Sequence, residues 1–329
     1  MRQLSCLLIM FLASALLAGE TAAPPAEPLP PAKFNEPPAP KEFARAAALI
    51  DTKTLADKLK KNTPGLVLID ARARDLYEDG HIATARSVVS DTFQDPQSAP
   101  YFLVSREAVQ KTCLETGIHA DSDVVIYDGG DGRLAARVWF TLHAYGHERV
   151  AILDGGYGKW RDENRAFSND PPEIKAGTFV PSEKPRSVCA FSELAQFRTR
   201  VHTLGKLPTT TMIDARSTAE YMGEDSRAKT GGHIPGAANI EWTSFLAPAA
   251  LKPGAKEPPF RVWRSAPEIH ALLRLSGIEK DQKIAVYDQA GGRSSHVFFT
   301  LWLMGFESAY NYTAGWREYG NRDDVEIER

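Results

Sequence analysis

The chain has 329 residues, of which 43% are hydrophobic and 25% are charged, and its formal net charge is −3. This length is enough for two domains of ordinary size, and the composition is typical of a folded globular protein. The slight negative charge argues against a protein that binds nucleic acid or is held to an anionic membrane by charge, because both need a basic surface.

The N-terminal residues predict an export signal that spans residues 1–23. Arg2 is followed by LSCLLIMFLASALLA, an apolar run of about 15 residues that ends among small residues. The run is shorter than the roughly 20 apolar residues of a membrane-spanning helix, although an uncleaved anchor is the alternative. We therefore expect an exported protein, periplasmic in a host with two membranes, that has no membrane contact beyond this signal.

A proline-rich linker is predicted for residues 24–43. Eight of the seventeen residues from Pro24 to Pro40 are proline, and that composition favours an extended tether over packed structure.

Two cysteines, Cys113 and Cys189, lie beyond this linker. In an exported protein they could form a disulfide, or each could be a buried apolar side chain. Their spacing fits no metal site, and we predict neither a metal nor a cofactor.

An internal repeat determines the predicted architecture. The segment GIHADSDVVIYDGGDGRLAARVWF, from Gly117, aligns with GIEKDQKIAVYDQAGGRSSHVFF, from Gly277. Asp128 and Asp288 align with an offset of 160 residues, which falls to 159 after the following loop. An earlier segment, LIDARARDLYEDGHI, recurs as MIDARSTAEYMGEDSRAKTGGHIPGA with extra residues in the second copy. The chain therefore contains two related units.

Each copy predicts strands that alternate with helices. VLID, TMID, VVIYD and IAVYD are short apolar runs typical of buried parallel strands. The last two precede a glycine turn and a helical stretch that ends at Gly146 or Gly305. VAILDGG and AYNYTAG predict a further strand and turn. The predicted fold class is α/β, with domain one at residues 44–165, a linker at 166–185 and domain two at 186–322.

The loop after the strand IAVYD in the second copy has the features of an anion site. Asp288 ends the strand, Gly291 and Gly292 lie in the turn, and Arg293 stands near the start of the helix. Successive backbone N–H groups in such a turn, followed by a helix N-terminus, form a concave site for an anion. Because glycines are also common in plain strand-to-helix connections, the pattern alone leaves a structural role open.

Taken together, these motifs resemble the tandem-domain rhodaneses, the thiosulfate and mercaptopyruvate sulfurtransferases. The resemblance covers nearly all of residues 44–322, and its most specific parts are DAR…EY…GHIPGA, the strand, loop and helix around Asp288, and YTAGWREY. It implies two rhodanese-like α/β domains, each a parallel sheet flanked by helices. It also implies a six-residue loop in the second domain whose first residue, a cysteine, carries sulfur as a persulfide.

The resemblance maps the active-site loop of the family onto six residues of this chain. They are Asp288, Gln289, Ala290, Gly291, Gly292 and Arg293. The length and the final arginine match the family pattern, but an aspartate stands where a cysteine is expected. A carboxylate cannot replace a thiolate as a sulfur acceptor, because persulfide chemistry needs a soft, polarisable sulfur. We therefore assign no catalytic residue here and expect no conventional persulfide catalysis.

Two structural expectations follow for the aspartates of the repeat. The carboxylate of Asp288 should accept hydrogen bonds from two or more loop amides, as a helix N-cap residue does. Asp128 should occupy the same place in the first domain.

Four basic residues are candidates for holding an anion at the second loop: Arg293, Arg227, Lys229 and Arg216. Arg227 and Lys229 lie in the insertion of the second copy, where they could line the mouth of a pocket or belong to a solvated loop. Arg216 belongs to the motif DAR with Asp214, and it is equally suited to fixing the edge of the sheet.

The sequence predicts an exported rhodanese-like protein that lacks persulfide catalysis and binds a small anion, a sulfur compound or a protein partner, but no nucleic acid. The alternative is an active thiosulfate or mercaptopyruvate sulfurtransferase that uses another thiol. A phosphatase of the related cysteine type would need the same missing cysteine and a loop one residue longer. An oxidoreductase is not supported, because the chain has neither a dinucleotide-binding glycine motif nor a CxxC pair.

Overall fold

The structure, a computed structural model, describes residues 39–93, 102–197 and 209–329 except positions 252 and 255. The predicted export signal, and the proline-rich linker as far as residue 38, lie outside these residues. Within the described ranges, no helix is long and apolar enough to cross a membrane.

The first half of the chain builds a sheet of five parallel strands in the order β1-β5-β4-β2-β3. Helices connect successive strands, as a parallel sheet requires. In chain order the elements are β1 (Leu49–Ile50), α1 (Thr52–Lys60), β2 (Leu66–Asp70), α2 (Arg74–Glu78), β3 (Arg86–Ser87), α3 (Arg106–Glu115), β4 (Asp123–Tyr127), α4 (Arg133–Ala144), β5 (Val150–Leu153) and α5 (Gly156–Asp162).

The second half repeats this plan with parallel strands in the order β11-β10-β6-β7. A bridge between Val188 and Asn311 lies beside β11, where β1 lies beside β5 in the first half. A separate antiparallel pair is formed by β8 and β9. The elements are β6 (Thr210–Asp214), α6 (Thr218–Tyr221), β7 (Ala238–Asn239), β8 (Leu246–Pro248), β9 (Arg261–Trp263), α7 (Ala266–Leu275), β10 (Lys283–Tyr287), α8 (Gly292–Leu303), β11 (Ala309–Tyr312) and α9 (Gly315–Tyr319). Short 3-10 segments occur at Ala46–Ala48, Ser90–Phe93, Phe191–Phe197 and Trp242–Phe245.

The prediction of an α/β fold with parallel sheets flanked by helices is confirmed. The strands β4 and β10 hold central positions, and four of the five residues in each are buried because both faces of each sheet are covered. The predicted helix ends are also confirmed, since α4 and α8 stop just before Gly146 (φ +94°) and Gly305 (φ +88°).

The repeated DAR motif forms the same contact in both halves. Arg72 Nη2 lies 2.6 Å from Asp70 Oδ2, and Arg216 Nη2 lies 2.6 Å from Asp214 Oδ2. Each of these guanidinium groups also donates to a backbone carbonyl 2.7 Å away. Both pairs are buried at the carboxyl ends of their strands, where they hold the following loop against the sheet.

The helices α4 and α8 join the two halves. The two helices pack against one another, and each is buried on nearly all sides because a sheet also covers it. The ring centroids of Trp139 and Phe299 are 4.8 Å apart, and those of Phe140 and Phe298 are 4.9 Å apart. Replacement of a buried aromatic residue such as Trp139 by alanine typically costs about 3–5 kcal/mol of stability. The helix N-termini, and the loops before them, consequently lie near each other.

Candidate functional site

The second loop of the repeat leads from β10 into α8. Strand β10 ends at Tyr287, Asp288 follows, and α8 begins at Gly292. Gly291 has φ +89°, and a β-carbon placed there would lie 3.0 Å from both Arg137 Nη1 and the carbonyl oxygen of Thr313. Glycine suits this position, because a larger residue would meet both a left-handed backbone and close neighbours.

The carboxylate of Asp288 is the hydrogen-bond acceptor at the centre of this loop. Its Oδ1 accepts from the backbone N–H groups of Ala290, at 3.1 Å, and Gly291, and its Oδ2 accepts from that of Arg293, at 2.8 Å. The hydroxyl of Ser294 donates to Oδ1 at 3.3 Å. The expectation of two or more amide donors is confirmed. With Asp288 only 3% exposed, its own carboxylate takes up the donors that the loop would otherwise offer to an external anion.

Arg293 lies between two carboxylates. Its Nη2 donates to Glu220 Oε1 at 2.9 Å, Nη1 donates to Oε2 at 2.5 Å, and Nε lies 3.6 Å from Asp288 Oδ2. Burial acts to raise the pKa of Glu220, but the hydrogen bonds and charge of Arg293 outweigh it and lower that pKa to about 2. A two-pronged contact of this kind fixes the guanidinium firmly.

Arg137 reaches this loop from the first half of the chain. It lies in the second turn of α4, is only 3% exposed, and donates from Nη1 to the carbonyl oxygen of Ala290 at 2.8 Å. Its Nε has no hydrogen-bond partner among the described residues. Burial lowers the pKa of Arg137 to about 10, while the charge of Asp288 acts in the opposite direction. The guanidinium therefore remains charged at neutral pH.

Two more arginines approach the same loop. Arg317, in α9, donates its backbone N–H to the carbonyl oxygen of Gln289 at 3.0 Å. Its Nε and Nη2 are buried without a hydrogen-bond partner in the described part of the chain, and its guanidinium lies 5.6 Å from the ring centroid of Phe102. Arg133 opens α4, and its Nη1 would lie 3.6 Å from a β-carbon at Gly292.

Positive charge exceeds negative charge among these groups. The described residues that contact or approach the loop are Asp288, Glu220, Arg133, Arg137, Arg293 and Arg317. Asp91, whose charge also acts on Arg137, adds a third carboxylate. Three carboxylates and four guanidinium groups leave a formal excess of one positive charge. Glu220, Arg133, Arg137 and Arg317 were not identified from the sequence. The signal for Glu220 was its place in α6, the helix after a strand beside β10, whereas Arg137 differs from its repeat counterpart, His296.

The structure separates the four basic residues predicted from the sequence. Arg293 contacts Asp288, and the backbone carbonyl of Arg227 accepts a hydrogen bond from Gln289 Nε2 at 3.3 Å. The guanidinium of Arg227 is exposed, 3.8 Å from Asp225. The ammonium of Lys229 pairs with the carboxylate of Asp323. Arg216 is held in its buried pair at the end of β6.

The two cysteines of the described region are free and buried. Cys113 lies in α3, whereas Cys189 lies beside the second sheet and donates to the carbonyl oxygen of Ala190 at 3.4 Å. Burial raises the pKa of both thiols to about 12, so both are protonated at neutral pH. Among the residues that the structure describes, no group of His, Cys, Asp or Glu side chains has the arrangement of a metal site.

Comparison with known families agrees with the duplicated fold. The rhodanese-like domain profile matches this chain twice, at residues 51–163 and 197–322. The chain is 30% identical over 290 residues to the thiosulfate sulfurtransferase of Azotobacter vinelandii, an alignment that covers 87% of this chain and 99% of that protein. The sulfur carrier protein TtuD of Thermus thermophilus is 29% identical over 296 residues, which cover 87% of this chain and 98% of that protein. The chain therefore belongs to the rhodanese family.

Solved structures share the fold at lower sequence identity. The anaerobic ergothioneine biosynthesis enzyme of Chlorobium limicola superposes with a TM-score of 0.69 at 24% identity, over 87% of this chain and 71% of that one. The protein YnjE superposes with a TM-score of 0.71 at 23% identity, over 87% of this chain and 70% of that one. These similarities support the fold of the two halves and their arrangement.

Proposed function

We propose that this chain is an exported rhodanese-family protein that forms no persulfide at residues 288–293 and instead binds a small anion beside that loop. The observation that carries the proposal is the position of the Asp288 carboxylate. It accepts three backbone N–H groups at the start of α8 and thereby occupies the centre of the loop. We take Asp288 to stand at the position where the family has its sulfur-carrying cysteine.

Persulfide transfer at this site would need a nucleophile that the loop lacks. Carboxylate oxygens form no stable bond of the required kind to sulfane sulfur, so Asp288 cannot take over the role of a thiolate. The alternative is a sulfurtransferase that uses another thiol. The buried positions of Cys113 and Cys189, with thiol pKa values near 12, argue against it.

The surrounding arginines support a role in anion binding. Asp288 already satisfies the loop amides, so a second anion would be repelled from the centre of the loop. Among the described residues, the guanidinium groups of Arg137 and Arg317 nevertheless have buried nitrogen atoms without hydrogen-bond partners. Unpaired N–H donors on buried cations are costly, and an anion that neutralises the excess charge would stabilise them. The proposed ligand is a small oxyanion such as thiosulfate or sulfate.

Sulfur transfer from thiosulfate to cyanide tests the chemical part of the proposal. We expect no activity from the mature protein and a gain of thiocyanate production in Asp288→Cys, because the loop amides and helix terminus would favour a thiolate there. Asp128→Cys, in the equivalent loop of the first half, is the matched control and should remain inactive. Activity of the parent protein that disappears in Cys113→Ser or Cys189→Ser would establish the alternative instead.

Calorimetric titration with thiosulfate, and separately with sulfate, tests the anion site. Replacement of Arg317 by methionine removes two unpartnered donors, and we expect affinity to fall at least about tenfold, the usual scale for a lost charged hydrogen bond. Arg149→Met, which alters an exposed arginine paired with Asp123 at the amino-terminal end of β4, should bind like the parent protein. Absence of binding by the parent at millimolar anion would contradict the proposal.

Export rests on the apolar run after Arg2 and is tested by cell fractionation with N-terminal sequencing. We expect the mature protein outside the cytoplasm, with a new N-terminus between residues 16 and 24 of the printed sequence. A cytoplasmic protein that retains its first residues would refute export and would leave the proposal on anion binding intact.

A further inference from the structure

A cavity separate from the loop at 288–293 lies in the first half of the chain, at the edge of the sheet beside β3. Its volume is about 460 Å³, which is within the range of small-molecule sites. Residues of β3, the segment after it, α3 and the connection at 171–174 line the cavity. Its described walls share no residue with the loop at 288–293 or with the arginines around that loop.

Arg86 brings an uncompensated charge to this cavity. Its backbone belongs to β3, and its guanidinium Nε and Nη1 are buried without a hydrogen-bond partner among the described residues. Burial lowers the pKa of this guanidinium, an effect that no carboxylate of the described chain opposes. The carboxylate that lines the cavity, Glu115, instead lies 3.8 Å from Lys111 Nζ. A partly buried cation without a counter-charge is stabilised by a ligand that supplies one.

The internal repeat shows that the fold does not require an arginine at this position. Arg86 is paired with Ile69 of the neighbouring strand, and the equivalent pair in the second half joins Ala238 to Ile213. The second half therefore builds the same edge strand with a methyl group in place of the guanidinium. The charge of Arg86 is a property of the first half alone and is independent of the architecture.

The other walls define what an occupant would contact. Tyr77, Val88, Val89, Pro171, Pro172 and Ile174 give the cavity a largely apolar lining. The hydroxyls of three lining threonines, Thr92, Thr112 and Thr116, already donate to backbone carbonyls at distances of 2.7, 3.0 and 2.7 Å. The second arginine at the cavity, Arg74, is paired with Glu78 through Nε at 2.8 Å. Of the described residues that line this largely apolar cavity, Arg86 is therefore the one cation without a carboxylate partner.

We propose that this cavity binds a small organic monocarboxylate, with the carboxylate on Arg86 and an apolar body against the valine, proline and isoleucine side chains. A guanidinium matches a carboxylate through two parallel hydrogen bonds. A bare inorganic anion would neutralise Arg86 but would leave the apolar walls uncovered. A polyanion would exceed the single unpaired charge.

Binding of phenylacetate to the mature protein tests this proposal, with the methyl signals of Val88, Val89 and Ile174 as the readout of location in an NMR titration. We expect saturable shifts of these methyl signals by phenylacetate, at least tenfold weaker binding of the neutral phenylacetamide, and no comparable response to sulfate. Arg86→Ala, which copies the residue of the second half, should weaken phenylacetate binding at least tenfold without lowering the melting temperature. Arg74→Ala, at the paired arginine, should change affinity less than threefold.

Three results would overturn the proposal. Phenylacetate at millimolar concentration could leave the three methyl signals unchanged, Arg86→Ala could bind as the parent does, or sulfate could shift these three methyl signals at as low a concentration as phenylacetate. The last result would define a simple anion site without an apolar requirement. Because Arg86→Ala is matched by an alanine in the second half, loss of folding is not expected to obscure the measurement.

Discussion

The two halves of the chain place an aspartate directly after the central strand, but the two carboxylates have different donors. Asp128 accepts four backbone N–H groups, those of Gly130 at 2.9 Å, Gly132 at 3.1 Å, Leu134 at 2.9 Å and Ala135 at 3.2 Å. Asp288 accepts three backbone groups and a serine hydroxyl. Both carboxylates are almost completely buried, and each satisfies the N-terminal amides of the helix that follows.

The surroundings of the two loops differ more than their centres. The antiparallel pair of the second half covers the first loop, because Arg261 donates its N–H to the carbonyl of Gly130 at 2.7 Å and Trp263 lies over Gly132. The N–H of Trp263 also donates to Asp154 Oδ1 at 3.0 Å. The second loop is instead bordered by arginines. The first loop is thus packed on one side against the β8–β9 pair, while a cavity of about 400 Å³ borders its other residues. The second loop is contacted by arginines from both halves.

The helices α4 and α8, which follow the two loops, also differ in charge. Arg137 and His296 are equivalent in the repeat, at an offset of 159 residues. Arg137 extends a charged guanidinium to the second loop, whereas His296 is fully buried and stacks on Trp263, with ring centroids 4.5 Å apart. Burial lowers the pKa of His296 to about 3, so its ring is neutral at ordinary pH. At this repeat position the first half therefore supplies a charge to the second loop, whereas the second half supplies a neutral ring.

The largest expected effects come from removal of the two carboxylates. Asp128→Ala would leave four buried N–H groups without an acceptor, and we expect it to lower the free energy of unfolding by about 3–5 kcal/mol. Asp288→Ala should cost about 2–4 kcal/mol by the same reasoning. Urea unfolding of both variants beside the parent protein measures these losses.

Added sulfate sharpens this comparison of the two variants. An emptied second loop, bordered by Arg137 and Arg293, should accept sulfate and regain part of its stability. The first loop, covered by Trp263, should gain much less. Equal recovery of the two variants, or recovery only in Asp128→Ala, would contradict the distinction between a covered loop and a charged one.

The change of stability with pH is an expected effect of intermediate size. Burial, opposed in part by the N–H of Trp263, raises the pKa of Asp154 from 3.8 to about 6. Between these two pH values the Asp154 carboxyl is protonated in the folded chain and ionised in the unfolded chain. The free energy of unfolding should therefore fall as pH rises from about 4 to about 6 and should then level off. Burial also raises the pKa of Asp128, which adds to the same slope.

Glu220 in the second half should act in the opposite direction. Its pKa is lowered to about 2, so its contribution is present above about pH 4.5 and is lost as pH falls towards 2. Denaturant unfolding at a series of pH values should show that Asp154→Asn removes about 2 kcal/mol of the change between pH 4 and 6. Glu220→Gln should flatten the acid limb by about 1–2 kcal/mol. A variant whose stability changes with pH as the parent's does, over the pH range given for that residue, would refute the pKa shift of that residue.

Local sequence patterns predicted the elements of the fold but only part of the site. The β-branched runs identified β4 and β10, and the contact of Asp288 with its loop amides followed from the position of an aspartate before a helix. Glu220 was missed because its approach to Arg293 depends on the pairing of β6 with β10, which brings the helices α6 and α8 that follow these strands together.

Arg137 was missed for a different reason. Its contact with Ala290 depends on the packing of α4 against α8, and periodicity within one helix does not predict the partner on which that helix packs. The antiparallel pair of β8 and β9 also had no clear signal, because the connection between its strands is rich in proline.

The smallest expected effects come from the glycines of the two loops. Gly129 has ordinary backbone angles, and a β-carbon added there would meet open space, so Gly129→Ala should change stability by less than about 0.5 kcal/mol. Gly291 has φ +89°, and a β-carbon there would meet the guanidinium of Arg137, so Gly291→Ala should cost about 1–3 kcal/mol. Thermal unfolding of the two variants gives the comparison.

A double variant can separate the contact with Arg137 from the other causes of the stability loss in Gly291→Ala. Combining Gly291→Ala with Arg137→Met replaces the guanidinium by a flexible side chain, and we expect the double variant to recover part of the loss. Full additivity of the two changes would mean that the left-handed backbone and the close contact with Thr313 cause the entire cost. Non-additivity would mean that the first half of the chain constrains the shape of the second loop through Arg137, as the 2.8 Å contact with Ala290 suggests.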